Sequence, residues 1–551
     1  MDYKEKYHLW LENVKDEKLL AELQLMTNDE EKMKLAFMSD LKFGTAGLRG
    51  TMGAGTNCMN VLTVARASQG LANYLISHNA HSIVVSFDSR NNSDVFAKIS
   101  ASVFATSGLN VYITHHLQPT PFLSYAITAL KVSAGVMVTA SHNPREYNGY
   151  KVYGESGGQM LDDECLRVTE EIEKVDIFGV KYEDFFTLLN NGKINYTTTQ
   201  LRLDYLDKVY EQRVGSIENI KIIYSALNGC GYRLIPDIFE KCGFTNYVKV
   251  VEQSFPNGNF TTCPYPNPEK NETLELGIRY AKENNADILL ASDPDCDRVG
   301  TAVLNKGQYV ILSGQEIGVL LTDFILCERT KSKTLTPDSV IVKSIVSTDL
   351  AKKVASGYGV KTIDVLTGFK YIGNIITELT ASGHQNDFVF GFEESCGYLA
   401  GVYAHDKDAV VACMLLAQMC SAYKKRGLTL IDRLEQIYSK YGKFNHKTVS
   451  FSFGGSVGAE KMKNLMDKLR SDKLSEIEGL SIIGTQDLLE KVEFPVSADV
   501  LIYTLEGDCK VIVRPSGTEP LIKVYLTVKG NESLATKIMS KFVDFFNCYF
   551  D

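Results

Sequence analysis

The chain lacks the defining features of several large protein classes. Its 551 residues carry 58 basic and 67 acidic side chains, a formal net charge of −9. It therefore has no basic excess of the kind that binds nucleic acid or anionic membranes. Its longest apolar stretch, near Val410–Cys420, is too short to span a bilayer and predicts a buried helix. The charged start M-D-Y-K-E-K-Y-H-L-W lacks an apolar signal core, so we expect a cytoplasmic protein.

A disulfide framework is also missing from the pattern. The twelve cysteines are dilute, and no two of them form C-x-x-C. Cys413 and Cys420 lie in an apolar run. This distribution is typical of reduced thiols in a long intracellular chain rather than of cross-links.

What the sequence does contain is a repeated strand–helix–strand unit. Each copy has a β-branched strand, a helix, a glycine near the helix end and a second strand, which predicts a βαβ crossover. The first strands are Ser82–Phe87, Ile220–Tyr224 and Ser339–Lys343, and the glycines are Gly108, Gly243 and Gly359. Three dispersed copies predict three similar mixed α/β domains.

The two ends of the chain differ from this repeat. Residues Glu5–Met38 are rich in Leu, Lys and Glu and predict a helical extension. From about Thr448 the strands look short and the chain closes with a helix near Asp544, which predicts a smaller α+β domain. The expected joints are Thr197–Gln200, Leu304–Gln308 and Lys440–Lys447. We therefore predict four domains, 1–198, 199–307, 308–442 and 443–551, in agreement with the length.

The first loop that indicates chemistry is V-T-A-S-H-N-P, Val138–Pro144. It follows an apolar strand, and Pro144 ends regular structure, so Ser141 is expected at an exposed strand end. A serine hydroxyl there can accept and donate a phosphoryl group. Thr139 and Asn143 stand where an α/β-hydrolase nucleophile elbow needs glycine, which excludes that class. By itself the loop is equally typical of a turn.

The second loop is D-P-D-C-D-R, Asp293–Arg298, directly after a predicted buried strand. If the loop is extended, side-chain alternation places three carboxylates on one side, those of Asp293, Asp295 and Asp297. Three close carboxylates repel unless a cation lies between them, and hard oxygen ligands favour Mg²⁺. An EF-hand is excluded because Arg298 and Leu304 replace its glycine and closing glutamate. Cys296 is predicted to fill space rather than to bind metal.

Two further loops follow later in the chain. G-F-E-E-S, Gly391–Ser395, ends a predicted strand, and its carboxylates and hydroxyl suit sugar hydroxyls. In H-D-K-D, His405–Asp408, the Lys407 ammonium could meet a phosphate as a point charge. Acidic pairs in loops are usually only solvated, so these two segments indicate a sugar-phosphate site only in combination with the other loops.

Two more segments suit anions. R-P-S-G-T-E-P, Arg514–Pro520, lies between two predicted strands and combines a guanidinium, hydroxyls and backbone N–H groups in one turn. K-F-G-T-A-G-L-R-G, Lys42–Gly50, has three glycines that permit close backbone approach, with Arg49 as its charged residue.

Together, T-A-S-H-N-P, D-P-D-C-D-R and R-P-S-G-T-E-P in this order resemble the α-D-phosphohexomutase family from about Lys42 to the C-terminus. The N-terminal helical segment and G-F-E-E-S are similar to the branch of phosphoglucomutases and phosphopentomutases. The resemblance implies four domains around a central cleft, each giving one loop. It also implies an isomerase that moves a phosphate between the 1- and 6-positions of glucose through glucose 1,6-bisphosphate.

The resemblance also implies roles for individual residues. Ser141 would be the phosphoserine and would hold Mg²⁺ together with Asp293, Asp295 and Asp297. The candidates for acid–base or charge-neutralising catalysis are Lys151, Arg49 and His142, although adjacent side chains in an extended chain point apart, which disfavours His142. The expected substrate-binding residues are Arg298, Thr367, Gly368, Lys370, Glu393, Ser395, Lys407, Arg514, Ser516, Gly517 and Thr518. The sugar loop reads C-G-Y-L, without the histidine of some relatives.

Several alternatives stay open at this point. Mannose and pentose phosphates differ from glucose phosphate by one hydroxyl or one carbon, so a phosphomannomutase or phosphopentomutase is possible. A metal-dependent sugar phosphatase would also need an Asp-rich loop, but the separate R-P-S-G-T turn favours two phosphate sites. A non-catalytic sugar-phosphate sensor should have lost Ser141 or an aspartate. We expect small phosphosugars as partners, and a monomer or homodimer.

Overall fold

The computed structural model describes residues 1–44, 47–215, 217–453, 458–489, 497–516 and 521–550. In this part of the chain, four β-sheets follow one another along the sequence and helices pack against them. This arrangement confirms the predicted fold class of three mixed α/β units and a different C-terminal unit. None of the twelve cysteines forms a disulfide, as their spacing predicted.

The helical extension predicted over Glu5–Met38 is confirmed, and it consists of three short helices. The carboxylates of Asp16 and Asp29 accept backbone N–H groups three residues later and so start new helices. Trp10 and Phe37 pack edge to face in a small core of their own. The helices are α1 Tyr3–Asn13, α2 Glu17–Met26 and α3 Glu30–Phe37.

The first sheet has six strands in the order β1-β5-β4-β2-β3-β6. Its elements are β1 Leu48–Thr51, α4 Val61–Ser77, β2 Ser82–Phe87, α5 Ser93–Thr106, β3 Asn110–Ile113, α6 Thr120–Leu130, β4 Ala134–Val138, β5 Tyr147–Gly154, α7 Asp162–Glu173, α8 Phe185–Asn190 and β6 Ile194–Tyr196. Strands β2, β3 and β4 are parallel, and β5 runs antiparallel to β4. Every residue of β4 is buried, as a central strand requires.

The second sheet has five strands in the order β11-β10-β9-β7-β8. Its elements are α9 Thr199–Glu211, β7 Ile222–Ser225, α10 Gly231–Lys241, β8 Tyr247–Lys249, α11 Asn271–Asn284, β9 Ile288–Ser292, β10 Val299–Asn305 and β11 Gln308–Leu312. The expected joint Leu304–Gln308 coincides with the turn of the β10–β11 hairpin. The second sheet therefore continues to Leu312, beyond the boundary at 307.

The third sheet has four strands in the order β13-β12-β14-β15. Its elements are α12 Gly314–Ser332, β12 Val340–Ser344, α13 Asp349–Ser356, β13 Lys361–Val365, α14 Phe369–Ala381, β14 Phe388–Glu393, β15 Gly397–Ala400, α15 Ala409–Lys425 and α16 Leu430–Tyr441. The apolar run near Val410–Cys420 lies inside α15 and is buried, as predicted. No helix in the described ranges is both long and apolar enough to cross a membrane.

The three sheets share one topology, which explains the sequence repeat. In each, a parallel trio is joined at one side by an antiparallel strand: β5-β4-β2-β3, β10-β9-β7-β8 and β15-β14-β12-β13. Ser141, the aspartates and Glu393 lie at the carboxyl ends of the corresponding strands β4, β9 and β14. Ligands of open α/β sheets bind at these ends.

The fourth sheet is antiparallel, with the order β16-β21-β20-β19-β18-β17. Its elements are β16 Phe444–Ser452, α17 Gly458–Ser471, β17 Glu476–Ile477, β18 Leu480–Asp487, β19 Leu501–Leu505, β20 Cys509–Pro515, β21 Leu521–Lys529 and α18 Glu532–Phe550. The strands flanking R-P-S-G-T-E-P are paired as predicted. Two strands reach nine residues, so the expectation of short strands is wrong for these two.

Candidate active site

Ser141 follows β4 in an unusual backbone conformation. Its φ is +52°, in the left-handed region that costs a non-glycine residue free energy. The Ser141 N–H donates to Thr139 Oγ1 at 2.8 Å. The residue is 5% exposed, so the expectation of an exposed strand end is wrong. Its hydroxyl instead donates to Asp293 Oδ2 of the second unit, at 3.1 Å.

A buried arginine fixes the loop around Ser141. Arg90 donates from one guanidinium nitrogen to the carbonyl oxygens of Ser141 and Asn143, both at 2.5 Å. Its other terminal nitrogen reaches the carbonyls of Pro144 and Tyr147, at 2.9 and 3.1 Å. Only a guanidinium has enough donors in one plane to bind four carbonyls in this way.

Asp88 completes this support. Its carboxylate accepts hydrogen bonds from Thr139 Oγ1 at 2.6 Å and Ser93 Oγ at 2.7 Å, and it pairs with Arg90 at 3.2 Å. Burial raises the pKa of Asp88, and Arg90 opposes the rise. Sequence reasoning missed both residues. The available signal was D-S-R directly after the strand Ser82–Phe87, the same strand-end position that identified the aspartates.

We predict that Arg90→Met destabilises the protein by about 3–5 kcal/mol, because it leaves the Asp88 carboxylate buried and unpaired. Chemical denaturation followed by circular dichroism measures the change. The double variant Asp88→Asn/Arg90→Met should recover part of the loss, since no orphan charge remains. A double variant less stable than Arg90→Met would contradict this account of the pair.

His142 lies closer to the serine hydroxyl than the sequence suggested. Its Nδ1 is 3.2 Å from Ser141 Oγ, because the left-handed turn at Ser141 breaks the alternation assumed for an extended chain. Burial, Arg298 and Arg49 hold the pKa of His142 well below its ordinary value. The imidazole is therefore neutral at pH 7.

The three predicted aspartates converge, but not through an extended strand. The chain turns after β9: the Cys296 N–H donates to the Asp293 carbonyl at 2.9 Å, and Cys296 has φ +56°. One carboxylate oxygen from each aspartate lies within 4.8 Å of the others, and all three residues are buried: Asp293, Asp295 and Asp297. Cys296 faces the hydrophobic core, in agreement with its predicted role.

The neighbouring carboxylates of this turn perturb Asp293. Burial, followed by the charges of Asp295 and Asp297, raises the pKa of Asp293 well above its ordinary value. The Asp293 Oδ1 atom also accepts the N–H groups of Asp297 and Arg298, at 3.1 and 3.0 Å. The protein thus holds acidic groups together at a cost in free energy that a cation would remove.

The donor set fits a hard metal ion. Asp295 Oδ1 and Asp297 Oδ1 are buried and accept no hydrogen bond from the described residues. Buried carboxylate oxygens without a partner are rare in folded proteins. An oxygen-coordinated divalent cation would satisfy both atoms.

Two lysines line the same cluster. Lys151, on β5, places its ammonium 2.8 Å from Asp295 and 3.3 Å from Asp297. Burial alone would lower the pKa of Lys151, but these carboxylates outweigh it and raise the pKa. Lys407 pairs with Asp297 at 3.2 Å and with Asp406 at 3.1 Å. Lys407 is thus held by carboxylates, and the predicted contact of its ammonium with a phosphate stays a prediction.

The residues predicted to bind the sugar surround this cluster on the third unit. Glu393 ends β14, and its carboxylate accepts the Gly368 N–H at 2.7 Å. Burial raises the pKa of Glu393, and Lys407 opposes the rise. Thr367 Oγ1 is buried without a partner among the described residues. Ser395 follows in the turn between β14 and β15 and is half-buried.

The remaining predicted residues lie at the edge of the site. Arg49, on β1, is exposed and lies 3.5 Å from the Asn143 amide oxygen. Arg298 pairs with Glu269 at 2.6 Å and with Asp297 at 3.7 Å. Lys370, at the start of α14, pairs with Asp162 at 2.6 Å.

The fourth unit contributes the end of β20. Arg514 interacts with Tyr525, whose pKa burial raises to about 12. The Ser516 N–H donates to the Leu521 carbonyl at 2.8 Å. Gly517 and Thr518 lie outside the described residues.

A buried serine at the end of one sheet and a cluster of buried carboxylates at the end of the next suit a phosphoryl-transfer enzyme, which needs a group to carry the phosphoryl and positive charge beside it. Comparison with family models then gives four consecutive matches. Phosphoglucomutase/phosphomannomutase alpha/beta/alpha domains I, II and III match residues 40–177, 203–307 and 313–441, and the C-terminal domain of the same family matches 496–545. The chain belongs to the phosphoglucomutase/phosphomannomutase family.

Individual relatives agree with the family matches. A phosphoglucomutase of Staphylococcus saprophyticus is 35% identical over 539 residues, which cover 95% of this chain and 96% of the relative. A phosphoglucomutase of Staphylococcus aureus is 33% identical over 535 residues, 95% of each chain. A solved phosphoglucomutase/phosphomannomutase family protein of Burkholderia thailandensis shares the fold, with a TM-score of 0.70, 17% identity, and coverage of 93% of this chain and 98% of that one.

Proposed function

We propose that the protein interconverts glucose 1-phosphate and glucose 6-phosphate through phosphorylated Ser141 and a glucose 1,6-bisphosphate intermediate. The observation that supports this most is the 3.1 Å hydrogen bond between Ser141 and Asp293, which joins the reactive hydroxyl to the acidic cluster. The full-length phosphoglucomutase relatives favour glucose over mannose or pentose phosphates as the substrate.

We propose Mg²⁺ as the resident metal, held by Asp293, Asp295, Asp297 and an oxygen of phosphorylated Ser141. All the donors are oxygens, which suits Mg²⁺, and the ion typically keeps positions open for phosphate. When bound, it would neutralise negative charge on the phosphoryl group being transferred.

The transfer is proposed to occur in two steps. Phospho-Ser141 gives its phosphoryl group to the free 6-hydroxyl of glucose 1-phosphate, whose proton leaves, and Ser141 becomes a free hydroxyl. The bisphosphate then reorients in the site, so that its 1-phosphate faces Ser141. Its 1-phosphoryl group then passes to Ser141, the sugar oxygen takes a proton, and glucose 6-phosphate leaves. Such a transfer depends mainly on positioning and charge neutralisation.

Cationic side chains around Ser141 are suited to that neutralisation. Lys151 stays protonated because of Asp295 and Asp297, so we propose that it stabilises phosphoryl oxygens rather than removing a proton at rest. Arg49 and Arg298 are both close enough to His142 to lower its pKa. The neutral His142 imidazole, with its proton on Nδ1, can donate a hydrogen bond to Ser141 Oγ, whose own proton goes to Asp293, and is proposed to orient the serine.

The other predicted residues are proposed to bind the substrate. Glu393 and Ser395 would bind sugar hydroxyls, and the unpartnered Thr367 hydroxyl with Gly368 would orient the ring. Lys370 and Lys407 would contribute positive charge near the sugar loop. The phosphate that is not being transferred would bind to the turn after β20, at Arg514, Ser516, Gly517 and Thr518.

A coupled assay tests this function. Glucose 1-phosphate with a trace of glucose 1,6-bisphosphate should give glucose 6-phosphate, and kcat/KM should be higher than for mannose 1-phosphate or ribose 1-phosphate. Release of free glucose and orthophosphate would instead indicate a phosphatase. A higher kcat/KM with another sugar would overturn the choice of glucose while leaving the mutase class intact.

A further inference from the structure

An ion pair between the first and third units lies beside the proposed substrate site. Asp162 begins α7 of the first unit. One of its carboxylate oxygens binds the Lys370 ammonium at 2.6 Å, and the other accepts the Tyr371 hydroxyl at 2.6 Å. Both oxygens of one side chain therefore bind consecutive residues of a helix more than 200 positions away in the chain.

The position of Lys370 is electrostatically unfavourable without a partner. It is the second residue of α14, where a positive charge opposes the helix dipole. Its side chain is only 8% exposed, so water screens it poorly. Lys370 also stacks over the Tyr371 ring, 5.2 Å from its centre. Asp162 supplies the negative charge that makes this placement tolerable.

An acidic residue in the first turn of α7 would be expected on helix-dipole grounds alone. The neighbouring Asp163 meets that expectation, because it occupies the same turn and is exposed to solvent. Asp162 differs, because its two oxygens contact another domain. Its contacts therefore do more than complement the dipole.

These contacts continue toward the proposed phosphate turn. Burial and the hydrogen bond from Tyr371 to Asp162 raise the pKa of Tyr371, and the positive charge of Arg514 opposes the rise. Arg514 is thus near enough to act on the Tyr371 hydroxyl. Asp162, Lys370 and Tyr371 thus link the first and third units by hydrogen bonds, and the Arg514 charge of the fourth unit acts on Tyr371 electrostatically.

We propose that Asp162 is a positioning residue that fixes the Lys370 ammonium at the sugar-phosphate subsite. The proposal rests on the mutase function proposed above. Lys370 meets the substrate, and Asp162 determines where its charge lies and how far it can move. Because such a contact binds ground state and transition state alike, it should affect KM more than kcat.

Steady-state kinetics of Asp162→Asn test the proposal. We expect KM for glucose 1-phosphate to change by roughly ten-fold, with kcat within about three-fold of wild type. Asp163→Asn, in the same helical turn, should match wild type. Asp162→Glu keeps the charge and should restore KM at least in part. If Asp162→Asn leaves KM unchanged, or lowers kcat as much as kcat/KM, the proposal is wrong.

A double-mutant cycle distinguishes a positioning role of Asp162 from a purely structural role in linking the two units. In a Lys370→Met background, adding Asp162→Asn should change KM by less than about two-fold, because the residue through which Asp162 acts is already gone. A change as large as in wild type would show that Asp162 acts only as a structural link and would overturn the proposal. Failure of the mutase function itself appears separately, as an inactive wild-type enzyme.

Discussion

Ser141→Ala should lower mutase activity by three orders of magnitude or more, roughly as for loss of a covalent nucleophile in other enzymes. Without the hydroxyl there is no atom to carry the phosphoryl group between the two half-reactions. Wild-type protein incubated with glucose 1,6-bisphosphate should gain the mass of one phosphoryl group, located by peptide mapping at Ser141. The variant should gain none. Coupled kinetics and intact-mass spectrometry measure the two effects.

Ser133→Ala is the matched control for this variant. Ser133 precedes the same strand, β4, at its opposite end and is only partly buried, so its hydroxyl should be dispensable. Both variants should unfold at the wild-type temperature within a few degrees, since surface and small polar changes have modest effects. Undiminished activity of Ser141→Ala would remove the residue from the mechanism.

Asp293→Asn should lower activity by roughly 10²–10⁴-fold. This factor corresponds to the several kcal/mol by which a bound metal stabilises charge in the transition state. The asparagine carbonyl can still accept the two backbone N–H groups, and its amide can still meet the Ser141 hydroxyl. The substitution thus removes a metal ligand with little change of shape. Activity assays with added Mg²⁺ and calorimetric titration of Mg²⁺ measure the loss.

The same variant should be at least as stable as the wild type in metal-free buffer. The pKa of the Asp293 carboxyl is raised in the folded protein. The protonated carboxyl therefore stabilises the fold below the unfolded pKa of about 4. This stabilisation is lost as the pH rises through the folded pKa. Asparagine does not ionise, so the variant does not lose stability in this way as the pH rises. At neutral pH, thermal unfolding should therefore occur at an equal or higher temperature, and added Mg²⁺ should raise the unfolding temperature of the wild type only.

Asp338→Asn provides the control for charge removal, because Asp338 forms an exposed pair with Lys361 that should contribute little. If Asp293→Asn were less stable than wild type without metal, the repulsion inferred for the acidic cluster would be wrong. If the variant kept its activity, Asp293 would not be a necessary ligand.

The strand ends account for what the sequence predicted well. Ser141, the aspartates and Glu393 each follow an apolar strand of the repeated unit, and equivalent ends of related sheets bring such residues into one site. Their convergence follows from that rule even though the assumed local geometry was wrong. The loop after β9 is a turn, and Ser141 is buried.

The supporting residues were harder to find because their partners are distant in sequence. Arg90 binds carbonyls more than 50 positions away, and Asp162 binds Lys370 across 208 positions. No periodicity or local spacing encodes such pairs. The left-handed φ of Ser141, which brings His142 to its hydroxyl, is likewise set by Thr139 and Arg90 rather than by the residue itself.

The acidic turn after β9 is fastened to two other units by main-chain bonds. The Thr120 N–H donates to the Asp295 carbonyl at 2.9 Å, the Val299 N–H to the Cys396 carbonyl at 3.1 Å, and the Ala409 N–H to the Cys296 carbonyl at 3.2 Å. A nascent chain that ended soon after the second sheet would hold the aspartates without two of these three bonds. We therefore expect the proposed metal to bind late in biosynthesis, after three domains have assembled.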